Sequence, residues 1–513
     1  MPDDNRTTGV AMADLTREEV EELLDKMREI REREEEEAEQ RASGELPEPE
    51  EEEAGEEAEP AEPTGETETA ETDETETPAE PADAEEEKEE EEPEEEAEEA
   101  EEEEDDRPTL AGLNLEGLDL SGLQFYGIDM METNLQNANL QDTDISGSNM
   151  ENADLAGANL QDSILVESRL RGANLEKANL EKTDLRSAEL HEANLKEAQL
   201  SEARLSKAKF IRSTLTGANL TGADLSRANF KGADMTQTDL SDSKMAAANF
   251  FEVNFTGANM TRALIKGARM AQALIKDAKM MRADLTGSDL SDCRILNVDL
   301  SRSRFNSSIL RRATLDGTNL SESILDIADC NQASLIGVTL DGARLQRIKL
   351  NEANLAGAKL PGADLSRARL NQANLEGVDL SGGNLEGADF TEARLEGADL
   401  SRANLKEAIL TKAHANNTFF TGARLEEAKC ESTELRNADF AGSYLNHASF
   451  VKANLEGSDL HRASIEQANL SDAKLQNANF TGAKLYRAKL TGADTKGAAF
   501  ESADLTETEG YSA

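Results

Sequence analysis

From Leu110 to Leu505 a repeat centre falls at every fifth position, without an insertion or deletion. Of the 80 centres, 52 are Leu, 12 Phe, 7 Met and 5 Ile; Cys330, Cys430, Ala415 and Thr495 are the exceptions. Two residues before the centre the side chain is small, Ala in 50 repeats and Ser or Thr in 18. The residue just before the centre is Asn 21 times and Asp 20 times, and Gly stands two residues after it 28 times. The stretch Ala218-Asn219-Leu220-Thr221-Gly222-Ala223-Asp224-Leu225-Ser226-Arg227 shows the unit. A period of five fits neither a helix at 3.6 nor a strand at 2. A strict short period instead predicts a solenoid in which each turn touches only its neighbours. The large residue and the small one two places earlier point the same way, as alternate strand residues do. Both therefore face inward, and the Asn or Asp between them points outward or into the corner. Gly after the centre relieves a turn in which φ is positive.

A second pattern lies near the N-terminus. Thr16-Arg17-Glu18-Glu19 has the form of a capping box, in which hydroxyl and carboxylate satisfy orphan N–H groups reciprocally. Val20, Leu23, Leu24, Met27 and Ile30 follow at helical spacing, so a helix is expected over 15–41. Val20, Leu23, Met27 and Ile30 also fit two heptads of a coiled-coil seam. The helix has two available roles. It docks on its own domain, or it serves as a docking or oligomerisation helix on a tether, with Val20, Leu23, Leu24, Met27 and Ile30 as the partner-binding face.

Charge divides the chain. Residues 1–107 hold 51 acidic and 9 basic residues, a net of −42; the other 406 hold 56 acidic and 44 basic, a net of −12. The segment 42–107 is Glu, Pro, Ala and Thr with almost no apolar bulk. It cannot bury enough surface to offset its ordering entropy, so it is expected to be disordered, as is 1–14. An acidic chain repels phosphates, which argues against direct nucleic-acid binding. No run of 18 apolar residues suggests a membrane span, and the first residues do not resemble a secretory signal. Cys293, Cys330 and Cys430 all fall at inward positions and are expected to be buried free thiols, which suits a reducing, cytoplasmic setting. His191, His414, His447 and His461 are scattered at outward positions without metal-ligand spacing. There is no phosphate loop, nucleophile elbow or triad precursor. The expectation is a non-enzyme with no catalytic, cofactor or metal site.

The repeat resembles the pentapeptide-repeat family, whose motif is A(D/N)LXX, over about 400 residues. The resemblance implies an all-β, right-handed quadrilateral β-helix over 108–507, with four repeats per 20-residue coil and about 20 coils. At the strand spacing of about 4.8 Å per coil, that is a solenoid of roughly 96 Å. Leu113, Leu118, Leu123 and Ile128 put bulk at the usually small position in four successive repeats, which suggests a thickened first coil as the N-terminal cap. Val298, Val338 and Val378 recur at intervals of 40, as a 20-residue coil allows. Residues 508–513 form a short polar tail, so the C-terminal end is expected to be open and able to pair with a second copy. At Ala415 the centre is small and Phe419 sits at an outward site, a packing imperfection or a contact spot.

Two functions follow. The first is a protein-interaction scaffold with a flexible acidic arm that suits basic partners. The second is DNA mimicry, because some members of the family it resembles are acidic dimeric rods that occupy the DNA-binding saddle of type II topoisomerases. Duplex DNA carries about one charge per 1.7 Å, so a full-length mimic needs roughly 56 negative charges against the −12 present. Residues 108–168 fare better, with ten acidic residues and no Lys or Arg. A middle stretch, 260–312, carries 11 basic and 5 acidic residues and suggests a basic zone.

Overall fold

The structure, a computed structural model, describes residues 15–43 and 109–511. The expected disordered stretches, 1–14 and 42–107, lie outside the described residues, residues 42 and 43 excepted. Helix α1 spans Arg17–Ala42. From residue 109 the chain climbs as a solenoid whose register is set by one rule. The residue before each centre bridges, in parallel, the residue 20 positions on, from Asn114↔Asn134 to Lys489↔Glu509. Four bridges per 20 residues give four sides, headed by Asn114, Asp119, Gln124 and Asp129.

Each side holds three extended residues, and a two-residue turn makes the corner. Between coils, Leu115 N–H donates to Asn134 O at 2.8 Å and Asn134 N–H donates to Leu113 O at 2.9 Å. Within the corner, Leu118 N–H donates to Leu115 O at 3.3 Å. The third residue of such a turn has positive φ, as type II turns require. Gly117 fulfils this at +67°, but so do Glu132 at +57° and Lys177 at +58°. A non-glycine residue there costs about 1 kcal/mol or more. The next coil holds it in place, as when Lys177 N–H donates to Lys196 O at 2.9 Å. Among the described residues two segments lengthen into strands, β1 (Leu274–Lys276) and β2 (Arg294–Leu296), paired in parallel with Leu274 opposite Arg294. Elsewhere each side is too short for more than a single bridge.

The interior is closed by side chains. Leu220, Leu225 and the small Ala218 and Ala223, like Val298, Val338 and Val378, are at most 2% exposed. A 20-residue coil stacks like on like, so Phe210, Phe230 and Phe250 form a ladder with centroids 4.6 and 5.3 Å apart. Hydroxyls at the small position are satisfied by main-chain carbonyls, as Thr133 donates to Leu110 O at 2.8 Å.

The Asn before the centre does three jobs. Asn159 Oδ1 accepts the Gln161 N–H at 3.4 Å, bracing the corner, and also accepts Asn179 Nδ2 at 2.9 Å. Its own Nδ2 donates to Asn139 Oδ1 at 3.0 Å. Asn139 in turn donates to Asp119 at 2.9 Å. Asp can brace the corner but cannot donate, so Asp119 closes this ladder on its N-terminal side. At the C-terminal end pairing reaches Glu509, and the Tyr511 ring meets Phe500 edge-on at 5.0 Å, so both add to the last coil.

The ladder sets an order of stability. Asn159→Asp keeps both accepting roles and should cost about 1 kcal/mol, whereas Asn159→Ala removes all three bonds and should cost two to three times as much. Equal thermal unfolding of the two variants would contradict the ladder's role.

Candidate functional site

Among the described residues no group of three or more His, Cys, Asp and Glu is placed to hold a metal ion. The three cysteines are free and buried. Burial pushes the Cys293 and Cys330 thiols up to about 12, and raises Cys430 as well. Cys293 Sγ donates to Met270 O at 2.8 Å. His191 is half-buried, which lowers its pKa, and His461 Nδ1 lies 2.9 Å from Asp459 Oδ2. His414 and His447 are exposed.

The N-terminal end of the solenoid is a built feature. The capping box forms as the sequence implies: Thr16 N–H and Oγ1 donate to Glu19 Oε2 at 2.7 and 2.9 Å. The Thr16 N–H bond is the main reason Glu19 lies below the usual carboxylate range. The cap's contribution is therefore complete near neutral pH and fades as acid protonates Glu19. Arg17 then ties α1 to the first coil, with Nη1 donating to Asp119 O at 2.9 Å and Nη2 to Ser121 O at 3.1 Å. Leu15 borders the same cleft as Asn114, Leu118 and Asn137.

Burial shows what this achieves. Leu110, Leu115, Leu120 and Phe125, the first centres, are all fully buried. In the last coil Thr495, Phe500 and Leu505 remain half-exposed. The bulky Leu113, Leu118 and Leu123 are themselves half-exposed, with only Ile128 buried, so the thickened coil does not close the end by itself. Of the helix residues, Val20, Leu24 and Met27 are 0, 5 and 7% exposed, a stripe at i, i+4 and i+7. Leu23 and Ile30, the other two members of the expected partner face, are half-exposed.

The basic stretch at 260–312 is not gathered into one patch. Arg262, Arg282 and Arg302 stack in one corner, where Arg262 pairs with Asp242 and Arg302 with Glu322. Arg269, Lys279, Arg294 and Arg304 fall on the four different sides. Ala415 is fully buried between the buried Leu395 and Leu435, while Phe419 and Tyr444 stand about half-exposed on neighbouring sides.

With this geometry in view the comparisons are direct. A family profile described as "Pentapeptide repeats (8 copies)" matches successive stretches between residues 133 and 506, most of the chain. The chain belongs to the pentapeptide-repeat family. Members fold as right-handed quadrilateral β-helices, and the four bridges per coil have that four-sidedness. Among solved structures, one similar chain is HetL, a pentapeptide repeat protein involved in heterocyst differentiation regulation from the cyanobacterium Nostoc sp. strain PCC 7120. It is 30% identical over 48% of this chain and 92% of its own, with a TM-score of 0.31. Full-length QnrB1, a plasmid-mediated fluoroquinolone resistance protein, is 20% identical over 34% of this chain and 85% of its own, with a TM-score of 0.26. Rfr23 from the cyanobacterium Cyanothece 51142 is 26% identical over 24% and 90%, with a TM-score of 0.13. No curated protein matches the chain in sequence.

Two outcomes are expected. A thiol reagent at pH 8 should label no cysteine in the folded chain and all three after unfolding; labelling of the native chain would contradict the buried positions. Val20→Asp should speed amide exchange over residues 110–130 by at least about tenfold, without altering the last coil. Unchanged protection there would mean that α1 does not close the end.

Proposed function

We propose that the chain is a non-enzymatic interaction scaffold, a pentapeptide-repeat solenoid of about 20 coils carrying an acidic arm. The observation that carries this reading is the division of roles within every repeat. Two of five residues are consumed by the core, and the rest are presented outward in columns whose members recur every 20 residues. Main-chain bonds on all four sides hold those columns, so outward side chains can be placed without rebuilding the fold. That is the property a binding surface needs and repeat architectures supply. The acidic arm suits recruitment of basic proteins, and a cytoplasmic setting suits the free thiols. The half-exposed Phe500 and Leu505 of the last coil make pairing with a second copy part of this proposal.

DNA mimicry is the second reading, and one observation favours it. The outward columns of residues 109–168 carry Asp119, Asp129, Asp144 and Asp154 and no Lys or Arg. Over those first coils, about 15 Å, DNA would carry roughly nine charges, which the ten acidic residues match.

Immobilised full-length chain and a variant whose residues 45–106 are replaced by a neutral linker should both retain specific protein partners, with the arm adding salt-sensitive affinity. Failure of either form to retain any partner at micromolar concentration would refute the scaffold. Inhibition of a type II topoisomerase by the full chain, relieved by neutralising Asp119, Asp129, Asp144 and Asp154, would establish mimicry in its place.

A further inference from the structure

One corner of the solenoid, between the sides headed by Gln124 and Asp129, brings together residues that are far apart in the sequence. On the first side Arg304, Ile324 and Arg344 are successive partners; on the second, Ile309, Asp329, Lys349 and Arg369 are. In the corner between them Ser307, Ile327, Arg347 and Arg367 stack. Ser307 N–H donates to Asp326 O at 3.0 Å, Ile327 N–H to Gln346 O at 2.9 Å, and Arg347 N–H to Ser366 O at 3.0 Å. Ile327 is 52% exposed and Ile309 38%, with Ile324 half-buried beside them. An apolar triplet is thus bracketed by the guanidinium groups of Arg304, Arg347 and Arg367.

Two carboxylates of this corner are ion-paired. Asp326 accepts from Arg344 Nε at 2.6 Å. Asp329 takes Arg311 at 2.9 Å and Lys349 at 3.3 Å. Burial pushes the Asp329 carboxyl up, but Arg311 and the Asn331 N–H outweigh it and hold the group below its ordinary value. Among the described residues no carboxylate lies within ion-pair distance of Arg304, Arg347 or Arg367. Past the isoleucines the surface dips into a polar cleft of 270 Å³, walled by Arg347 and Arg367 with Glu386 at its far side.

We propose that this corner docks an acidic, amphipathic segment of a partner protein, with carboxylates on Arg304, Arg347 and Arg367 and an apolar side chain on Ile309, Ile324 and Ile327. The assignment rests on the scaffold reading and names its partner class. All three unpaired cations are Arg, whose planar fork matches a carboxylate with two donors and sheds water more readily than Lys. Exposed isoleucines add apolar area that a purely polar ligand would leave uncovered. The first coils, with ten acidic residues and no Lys or Arg over 108–168, repel an acidic segment, and the three arginines of the corner set its register. A nucleic acid fits less well, because phosphates gain nothing from isoleucine and a duplex would run on over sides of its own charge.

The test uses the full chain and a short fluorescein-labelled peptide of Glu, Asp, Leu and Ile, read by anisotropy against polyglutamate and duplex DNA. The peptide should bind at least about tenfold more tightly than polyglutamate, and Arg347→Glu with Arg367→Glu should remove about tenfold or more of that affinity. Ile327→Ser should weaken the peptide but not polyglutamate. Lys244→Glu, three coils away on the same side, should leave peptide binding unchanged. All these side chains are exposed, so unfolding temperatures should stay near that of the parent and rule out misfolding as the cause. Binding indifferent to the arginine pair, or DNA bound as tightly as the peptide, would overturn the proposal. So would carbodiimide cross-links from Lys349 to glutamates 45–106 of the same chain, which would give the corner to the chain's own arm. If the immobilised R347E/R367E chain retains every partner of the parent, this corner fails while the scaffold stands; if the parent retains none, the scaffold fails whatever the peptide does.

Discussion

The bond between a residue and the residue 20 places on governs this molecule. A side of three residues is too short to form a sheet by itself, and a corner with positive φ is strained for any residue but glycine. Both become tolerable because each coil's N–H and C=O groups are met by the coils above and below. One main-chain register then imposes everything else: columns of leucine, ladders of asparagine and stacks of phenylalanine. Stability in such an architecture is a sum over neighbouring coils, so the ends are where it is vulnerable.

The two ends are treated differently. At the first coil, α1 supplies what a missing coil would have supplied, an apolar stripe of Val20 and Leu24 and hydrogen-bond donors from Arg17. At the last coil Phe500 gains Phe480 and Tyr511 as neighbours but stays half-exposed. The same helix therefore cannot offer its whole apolar face to a partner while it closes the end. Val20 and Leu24 are already in use, and what remains is Leu23 and Ile30 with the charged flank.

Function, in a fold whose interior is full, belongs to the outward columns. Their chemistry is decided by subtraction. Fewer than half of the cations on the solenoid are ion-paired, many of them to a carboxylate one coil away, as Arg312 faces Asp292 and Arg487 faces Glu507. Exposed pairs of that kind contribute little to stability. They do silence charge, and among the cations left unpaired the corner of Arg304, Arg347 and Arg367 is distinguished by the isoleucines that accompany them.

The repeat, its inward and outward positions, the buried cysteines and the capping box were legible in the sequence, since each depends on neighbours within a few residues. The period of five decides which side chains face in whatever the coil size. The 20-residue closure is a property of how corners add up, and here the sequence offered only the spacing of three valines. Likewise the docking of α1 and the grouping of Ile309 with Ile327 and Arg347 depend on positions separated by many residues along the chain. The basic stretch at 260–312 shows the same limit: a run of neighbours in sequence is sent around four sides, so it makes a band rather than one patch. Local pattern determined what each residue does within its own coil, while only the stacking of coils decided which residues share a surface.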